Sequence, residues 1–197
     1  LLCYCGTTIV NTMIEYNKIK KIIEILKECS VVALKFHKQK DLEISIKNDN
    51  SPVTQADLEI SKIATFKLSE NFPNDKIISE ENITNLNKVD MDRYWLIDPI
   101  DGTKEFINKS GFFTINFALI SNNKPVFGII CQPTTSSVWF NNNDTAYKIS
   151  KTFNIEDAEE LKPQTINYNK LKIICSSTNL KSGIKSWLNI IKPLKIS

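Results

Sequence analysis

Glycine and proline are scarce, at 5 and 7 of 197 residues, which excludes collagen-like repeats and linker-like chains. Arginine is nearly absent: Arg93 is the single one, and lysine supplies the rest of the basic side. Net charge is +3 and no long basic block occurs, so a nucleic-acid wrapping surface is excluded. Histidine occurs once, as His37, and cannot by itself complete a Cys/His metal site. No apolar run reaches the roughly 18 residues of a membrane helix. The five cysteines (Cys3, Cys5, Cys29, Cys131, Cys175) are odd in number and widely spaced. That argues against a disulfide framework and for reduced thiols in a cytoplasmic protein. What is present is ordinary: 42% hydrophobic and 24% charged residues, enough for a buried core.

Residues 1–12 are apolar but short and lack the positive start of a secretory signal. Met13 stands just before the first helical pattern and is the expected start, with 1–12 an extension of doubtful function. Residues 14–35 place Ile19, Ile22, Ile23, Leu26, Cys29 and Ala33 on one helical face, opposite a lysine- and glutamate-rich face. Leu42, Ile44 and Ile46 alternate with polar residues, as in a short strand entering a turn. Residues 54–71 return to helical spacing, opened by Thr54 as N-cap. Short apolar strands are expected at Asn74–Ser79 and Tyr94–Ile97, then hairpins at 112–131 and 138–149, turning at SNNKP and NNND. A strand at Leu171–Cys175 and a helix at Leu180–Ile191 close the chain. Helices first, then a run of strands, then strand and helix, reads as a layered α/β or α+β fold rather than an alternating Rossmann sheet.

The chemistry concentrates in Tyr94–Ile107, YWLIDPIDGTKEFI. A buried strand ends in Asp98, a Pro turn comes next, and Asp101 lies three residues on. Two carboxylates at one strand end can converge on a cation; buried ionised carboxylates are costly unless paired or bound to metal. Hard oxygen donors at this density suit Mg²⁺. Gly102 lets the backbone approach a ligand closely, and Thr103 opens a helix over Thr103–Ile107, whose N-terminal N–H groups suit a phosphate. A carboxylate metal site beside a phosphate seat is the equipment of metal-assisted phosphate ester hydrolysis. Upstream, Glu80-Glu81 comes after a short apolar strand and Asp57 sits near the start of the second helix. Taken alone, each has a plainer reading. Asp57 completes a capping box with Thr54, Glu80-Glu81 is a solvated turn, and Asp98-Pro99 is a strand-ending turn.

In combination, SPVTQAD (Ser51–Asp57), SEE (Ser79–Glu81) and WLIDPIDGTKEF (Trp95–Phe106) resemble the inositol monophosphatase-like, lithium-sensitive phosphatase superfamily. GIICQP (Gly128–Pro133) and SSTN (Ser176–Asn179) fit its later landmarks. Lys104-Glu105-Phe106 after Thr103 is similar to the 3′(2′),5′-bisphosphate nucleotidase branch of the CysQ type, where inositol monophosphatases tend to read T-N-F. The resemblance implies an α-β-α-β-α sandwich whose N-terminal α/β metal-binding half spans 13–160, with 161–197 beginning an incomplete second half. It implies removal of the 3′-phosphate from adenosine 3′,5′-bisphosphate, with Mg²⁺ as cofactor, two or three ions. Glu80, Asp98 and Asp101 would bind metal through carboxylates and Ile100 through its carbonyl. Gly102 and Thr103 would hold the phosphate, and Glu80, Ile100 and Asp101 would also border the substrate. Asp57 with Thr103 would orient or deprotonate the attacking water, with Glu81 behind them. The implied partners are a small phosphorylated nucleotide and a second copy in a homodimer, with no nucleic acid. The implied location is the cytoplasm, with peripheral association with the inner membrane.

The resemblance covers about residues 14–190, and the family's later W-D-x-A-A motif has no counterpart here. Trp95, Trp139 and Trp187 precede Leu96, Phe140 and Leu188. Absence of the C-terminal part of the second layer is expected to leave a sheet edge and apolar faces of the second half unpaired, to weaken the metal site by one carboxylate and to remove much of the nucleoside pocket. A fragment or decayed reading frame is expected over a working short enzyme. Two further readings stay open: an inositol monophosphatase of the same fold, against which Lys104-Glu105 stands, and a catalytically impaired module that keeps metal or nucleotide binding.

Overall fold

The computed structural model describes residues 14–41, 43–46, 52–82, 92–163, 172–173, 186 and 195–196. The N-terminal extension, SSTN at 176–179 and, apart from Ser186, the helix expected at 180–191 lie outside the described residues. So do Leu42, Ser51, Cys3, Cys5 and Cys175. The chain divides into two compact units, Leu1–Leu161 and Lys162–Ser197.

In the first unit, α1 spans Tyr16–His37 and buries Ile19, Ile22, Ile23, Leu26, Cys29 and Ala33, the face set out by their spacing. Ile25 and Ser30 widen that face; Ser30 lies 3.2 Å from the Cys131 thiol, so its hydroxyl is satisfied inside the core. Burial pushes the Cys29 thiol up to about 12 and the Cys131 thiol up to about 11, so both stay protonated and unreactive. Helix α2, Gln55–Asn71, packs alongside α1 and buries Ile60, Ala64 and Leu68, whereas Leu58, on its other side, is exposed. Before α2, strands β1 (Ile44–Ile46) and β2 (Pro52–Thr54) pair antiparallel, so the segment expected to turn after one strand forms two.

Seven strands form one mixed sheet. In sequence and spatial order they are β3 (Lys76–Ser79), β4 (Arg93–Asp101), β5 (Thr114–Ser121), β6 (Lys124–Gln132), β7 (Ser137–Asn142), β8 (Thr145–Ile149) and β9 (Glu159–Leu161). Within this sheet β3 and β4 run parallel and the other neighbours antiparallel. The antiparallel steps are tight where asparagine permits left-handed backbone: Asn122 and Asn123 (φ 49° and 60°) join β5 to β6, and Asn143 (φ 52°) helps join β7 to β8. Alternation puts Trp95, Ile97, Ile115, Phe117, Leu119, Phe127, Ile129, Val138 and Ile149 on the face that builds the core with α1 and α2. Each large apolar side chain buried there contributes about 1.5–3 kcal/mol.

Strand β4 corrects the sequence expectation. It does not stop at Ile97 before a Pro turn; it continues through Pro99 to Asp101. Its pairing with β5 is regular from Arg93 to Asp98 and resumes at Asp101↔Thr114, with a register irregularity between. Proline lacks the N–H that a ladder needs, and such an irregularity is where a strand tolerates it. The start of β4 is pinned by Asp75, which accepts from Arg93 Nε at 2.9 Å and from Trp95 Nε1 at 3.0 Å. A short helix α3, Thr103–Ile107, comes directly after β4.

In the second unit, β10 (Lys172–Ile173) and β11 (Lys195–Ile196) pair parallel. Among the described residues no helix is long and apolar enough to cross a membrane.

Candidate active site

Because β3 and β4 are parallel neighbours, the residues just beyond the C-terminal end of each strand emerge at one edge of the sheet. Glu80 and Glu81 form a 3₁₀ turn with Asn82 directly after β3, and Asp98–Asp101 end β4. Helix α2 packs on both strands. Its Ser61 hydroxyl donates to Ser79 at 2.7 Å, a buried bond that ties the helix to β3 one residue before Glu80. The N-terminus of α2 therefore faces the same edge and delivers Asp57.

Asp57 is 2% exposed, and its Oδ2 accepts from the Thr54 N–H at 2.8 Å and the Thr54 hydroxyl at 2.6 Å. This is the reach-back half of a capping box, so the plainer reading of Asp57 is realised in the structure. Burial raises its pKa, the Thr54 donors oppose the rise, and the charge of Glu81 adds to it. Asp98 is shifted further. Burial, then the charges of Glu80, Asp101 and Asp57, push it up to about 7 against a weaker pull from the Ile100 N–H. The charges of the other three carboxylates named here thus all reach Asp98. Glu80 and Asp101 share one edge, not opposite surfaces.

The turn after β4 is set by backbone. Gly102 has φ 89°, and a Cβ there would meet the Phe112 carbonyl oxygen at 3.0 Å, so glycine is required on both counts. The Thr103 hydroxyl donates to the Ile100 carbonyl at 3.1 Å rather than to Asp57. That carbonyl keeps a second lone pair for another partner. Helix α3 is anchored from below by Phe106, fully buried and edge-on to Phe113 at 4.8 Å. His37 packs on both rings, at 5.4 and 5.1 Å, and burial lowers its pKa. The only histidine thus supports α3 from the core side.

The donor chemistry fits a hard divalent cation. Glu80, Asp98 and Asp101 supply carboxylates, Ile100 a carbonyl, and Asp98 Oδ1 is buried with no hydrogen-bond partner. Among the described residues, no three Asp, Glu, His or Cys side chains close as tightly as a finished metal shell.

One contributor is not legible in the sequence: Asn116, whose Nδ2 donates to Asp101 Oδ2 at 3.2 Å. Its only signal is a polar residue amid the apolar alternation of β5. Beside the carboxylates the sheet's second face opens into a cleft of about 650 Å³. Glu80, Asp98 and Asn116 line one part of it, and Leu96, Ile130, Trp139, Tyr147 and Leu161 give it an apolar lining. Leu96, Ile130 and Leu161 are exposed there.

Comparison with known proteins gives a consistent picture. Residues 12–182 match the model of the inositol monophosphatase family. The chain is 36% identical over 155 residues to the 3′(2′),5′-bisphosphate nucleotidase CysQ of Haemophilus influenzae, covering 76% of this chain and 56% of that protein. It is 32% identical over 183 residues to the CysQ of Buchnera aphidicola, covering 89% and 65%. Among solved structures it resembles CysQ from Bacteroides thetaiotaomicron, with a TM-score of 0.74 and 27% identity over 92% of this chain and 72% of that one. A Thermotoga maritima IMPase shares the fold at TM-score 0.72 and 19% identity. The chain spans 56% and 65% of the length of the two curated relatives.

Proposed function

The chain belongs to the inositol monophosphatase family, and from that premise we propose that it is a Mg²⁺-dependent phosphatase cleaving the 3′-phosphate of adenosine 3′,5′-bisphosphate to give AMP and phosphate. The observation that carries the reading is Asp98. It is a carboxylate near the end of β4 that feels the charges of Glu80, Asp101 and Asp57, is raised to about 7 by burial and then by those charges, and has one oxygen unpartnered. Such an arrangement is unfavourable by itself and becomes favourable around a cation. The substrate assignment leans on the CysQ relatives and on Lys104-Glu105 after the D-P-I-D-G-T motif.

In this reading Glu80, Asp98, Asp101 and the Ile100 carbonyl hold Mg²⁺. When bound, the ion neutralises charge on the phosphoryl oxygens and makes water more acidic. Gly102 and Thr103 present backbone N–H groups at the first turn of α3, which have no acceptor within the helix, to the phosphate. The left-handed Gly102 keeps side-chain bulk away from that approach. Asp57, whose pKa is raised by burial, accepts a proton from the attacking water. The Thr103 hydroxyl orients that water. The water oxygen bonds to phosphorus in line with the 3′-oxygen, the P–O3′ bond breaks, and the leaving alkoxide takes a proton from solvent. No covalent phosphoenzyme forms. Glu81 sits behind, its charge helping to keep Asp57 basic.

The test is phosphate release from adenosine 3′,5′-bisphosphate with Mg²⁺, set beside release from inositol 1-phosphate. Release from the nucleotide supports the proposal. Faster release from the inositol ester overturns the substrate and keeps the reaction class. Calorimetric binding of Mg²⁺ or nucleotide without turnover overturns the catalytic reading in favour of a binding module.

A further inference from the structure

Strand β5 alternates cleanly. Ile115, Phe117 and Leu119 enter the core, while Asn116 and Ala118 lie on the cleft face. A strand flanked by partners on both sides has no structural need for an amide there; an apolar or β-branched residue would pack better. Asn116 is the register partner of Asp98, so the two side chains stand on the same face as direct cross-strand neighbours. Its Nδ2 donates to Asp101 Oδ2, across the irregular stretch of β4. Because a carboxylate only accepts, this bond fixes the amide's orientation and aims Oδ1 elsewhere. That Oδ1 is buried with no hydrogen-bond partner, and so is Asp98 Oδ1 on the neighbouring strand.

Two acceptors with no hydrogen-bond partner therefore stand on adjacent strands and line one cleft. They need a donor or a cation between them. Asn116 differs from the surrounding carboxylates in one useful respect: it is neutral. It can hold Asp101 in place and offer an acceptor without adding to the crowded negative charge.

We propose that Asn116 is a positioning residue of the metal site: its amide N–H sets the Asp101 carboxylate, and its amide oxygen accepts a hydrogen bond from water in the cation's hydration shell. This rests on the phosphatase reading and adds to it a residue that acts through the ligands rather than as one. Groups that orient metal ligands change metal affinity more directly than they change chemistry.

The experiment is calorimetric titration of Mg²⁺ alone into the full chain and its Asn116→Leu and Asn116→Ala variants, with thermal melts to establish that each is folded. Asn116→Ala brings no added bulk and serves where the leucine does not fit. The expected result is a Mg²⁺ affinity lowered about 10- to 100-fold in the folded variants. Turnover of adenosine 3′,5′-bisphosphate should fall at low Mg²⁺ and return toward wild type at saturating Mg²⁺, with the KM for nucleotide little changed. Unchanged Mg²⁺ affinity in a folded variant overturns the role of Asn116 and leaves the phosphatase reading standing. A turnover defect that no Mg²⁺ concentration repairs overturns it too, since that is the mark of a merely structural residue. A wild-type chain that binds no Mg²⁺ overturns both proposals together.

Discussion

Replacing Asp98 by Asn should stabilise the metal-free protein at neutral pH while destroying its Mg²⁺ affinity. The reason is the environment of that carboxyl. Burial first, then Glu80, Asp101 and Asp57, raise its pKa from an ordinary 3.8 to about 7. A folded-state value above the unfolded one means that the ionised form opposes folding. Asp98 exerts no such effect below about pH 4, where both states are protonated. The effect grows between pH 4 and 7, and it is complete above pH 7. A rise of this size corresponds to about 4 kcal/mol of linkage. Asp98 keeps partial contact with solvent, so screening reduces the usable figure to about 1–2 kcal/mol. For a chain of this length that is a melting-point rise of about 3–6 °C. Thermal melts of wild type and Asp98→Asn in EDTA, at pH 4 and pH 8, test it through the difference between the two proteins, which cancels the acid sensitivity they share. The difference should be near zero at pH 4 and positive for Asn at pH 8. Adding Mg²⁺ at pH 8 should raise the wild type and leave the variant unmoved. A variant that is less stable than wild type at pH 8 in EDTA, or a gap that does not change with pH, refutes the electrostatic reasoning. A variant that binds Mg²⁺ as wild type does refutes the ligand assignment.

Gly102→Ala should lower stability by about 2 kcal/mol, since it adds left-handed strain and a 3.0 Å approach to the Phe112 carbonyl; a melting point equal to wild type counts against the required glycine. Phe106→Ala, which removes a fully buried ring from under α3, should cost about 3–5 kcal/mol and increase hydrogen exchange in residues 103–107; a loss below about 1 kcal/mol would show that α3 is held by something else. Mg²⁺ at 100 times its pH 8 dissociation constant should stabilise the wild type by about 2.7 kcal/mol at pH 8, and the same concentration should stabilise it less at pH 6, where Asp98 is largely protonated in the metal-free chain; equal stabilisation at both pH values would mean that the ion does not displace a proton from Asp98.

What the sequence disclosed and what it concealed divide along one physical line: the distance over which each signal acts. The buried face of α1, the capping of α2 by Thr54, the asparagine turns and the bounds of α3 all depend on neighbours within a few residues, and each could be read directly. The course of β4 past Pro99 could not. Whether a proline ends a strand depends on what the adjacent strand demands of it, and here β5 leaves a gap in its pairing at that point. Asn116 was hidden for the same reason. As one letter in an apolar strand it says little, and it acquires meaning only from a register that sets it opposite Asp98 and within reach of Asp101. The carboxylates themselves were visible because their motif is dense, but the motif does not reveal their mutual influence. That influence arises from parallel pairing of β3 with β4, which brings Glu80 beside residues some twenty positions later, and from the Ser61–Ser79 bond, which holds the end of α2 over the same edge. The candidate site is thus a local motif made electrostatically coherent by long-range pairing. A change at the sheet register, such as a disrupting substitution in β3 well away from any carboxylate, should therefore alter the Asp98 pKa as surely as a change at Glu80.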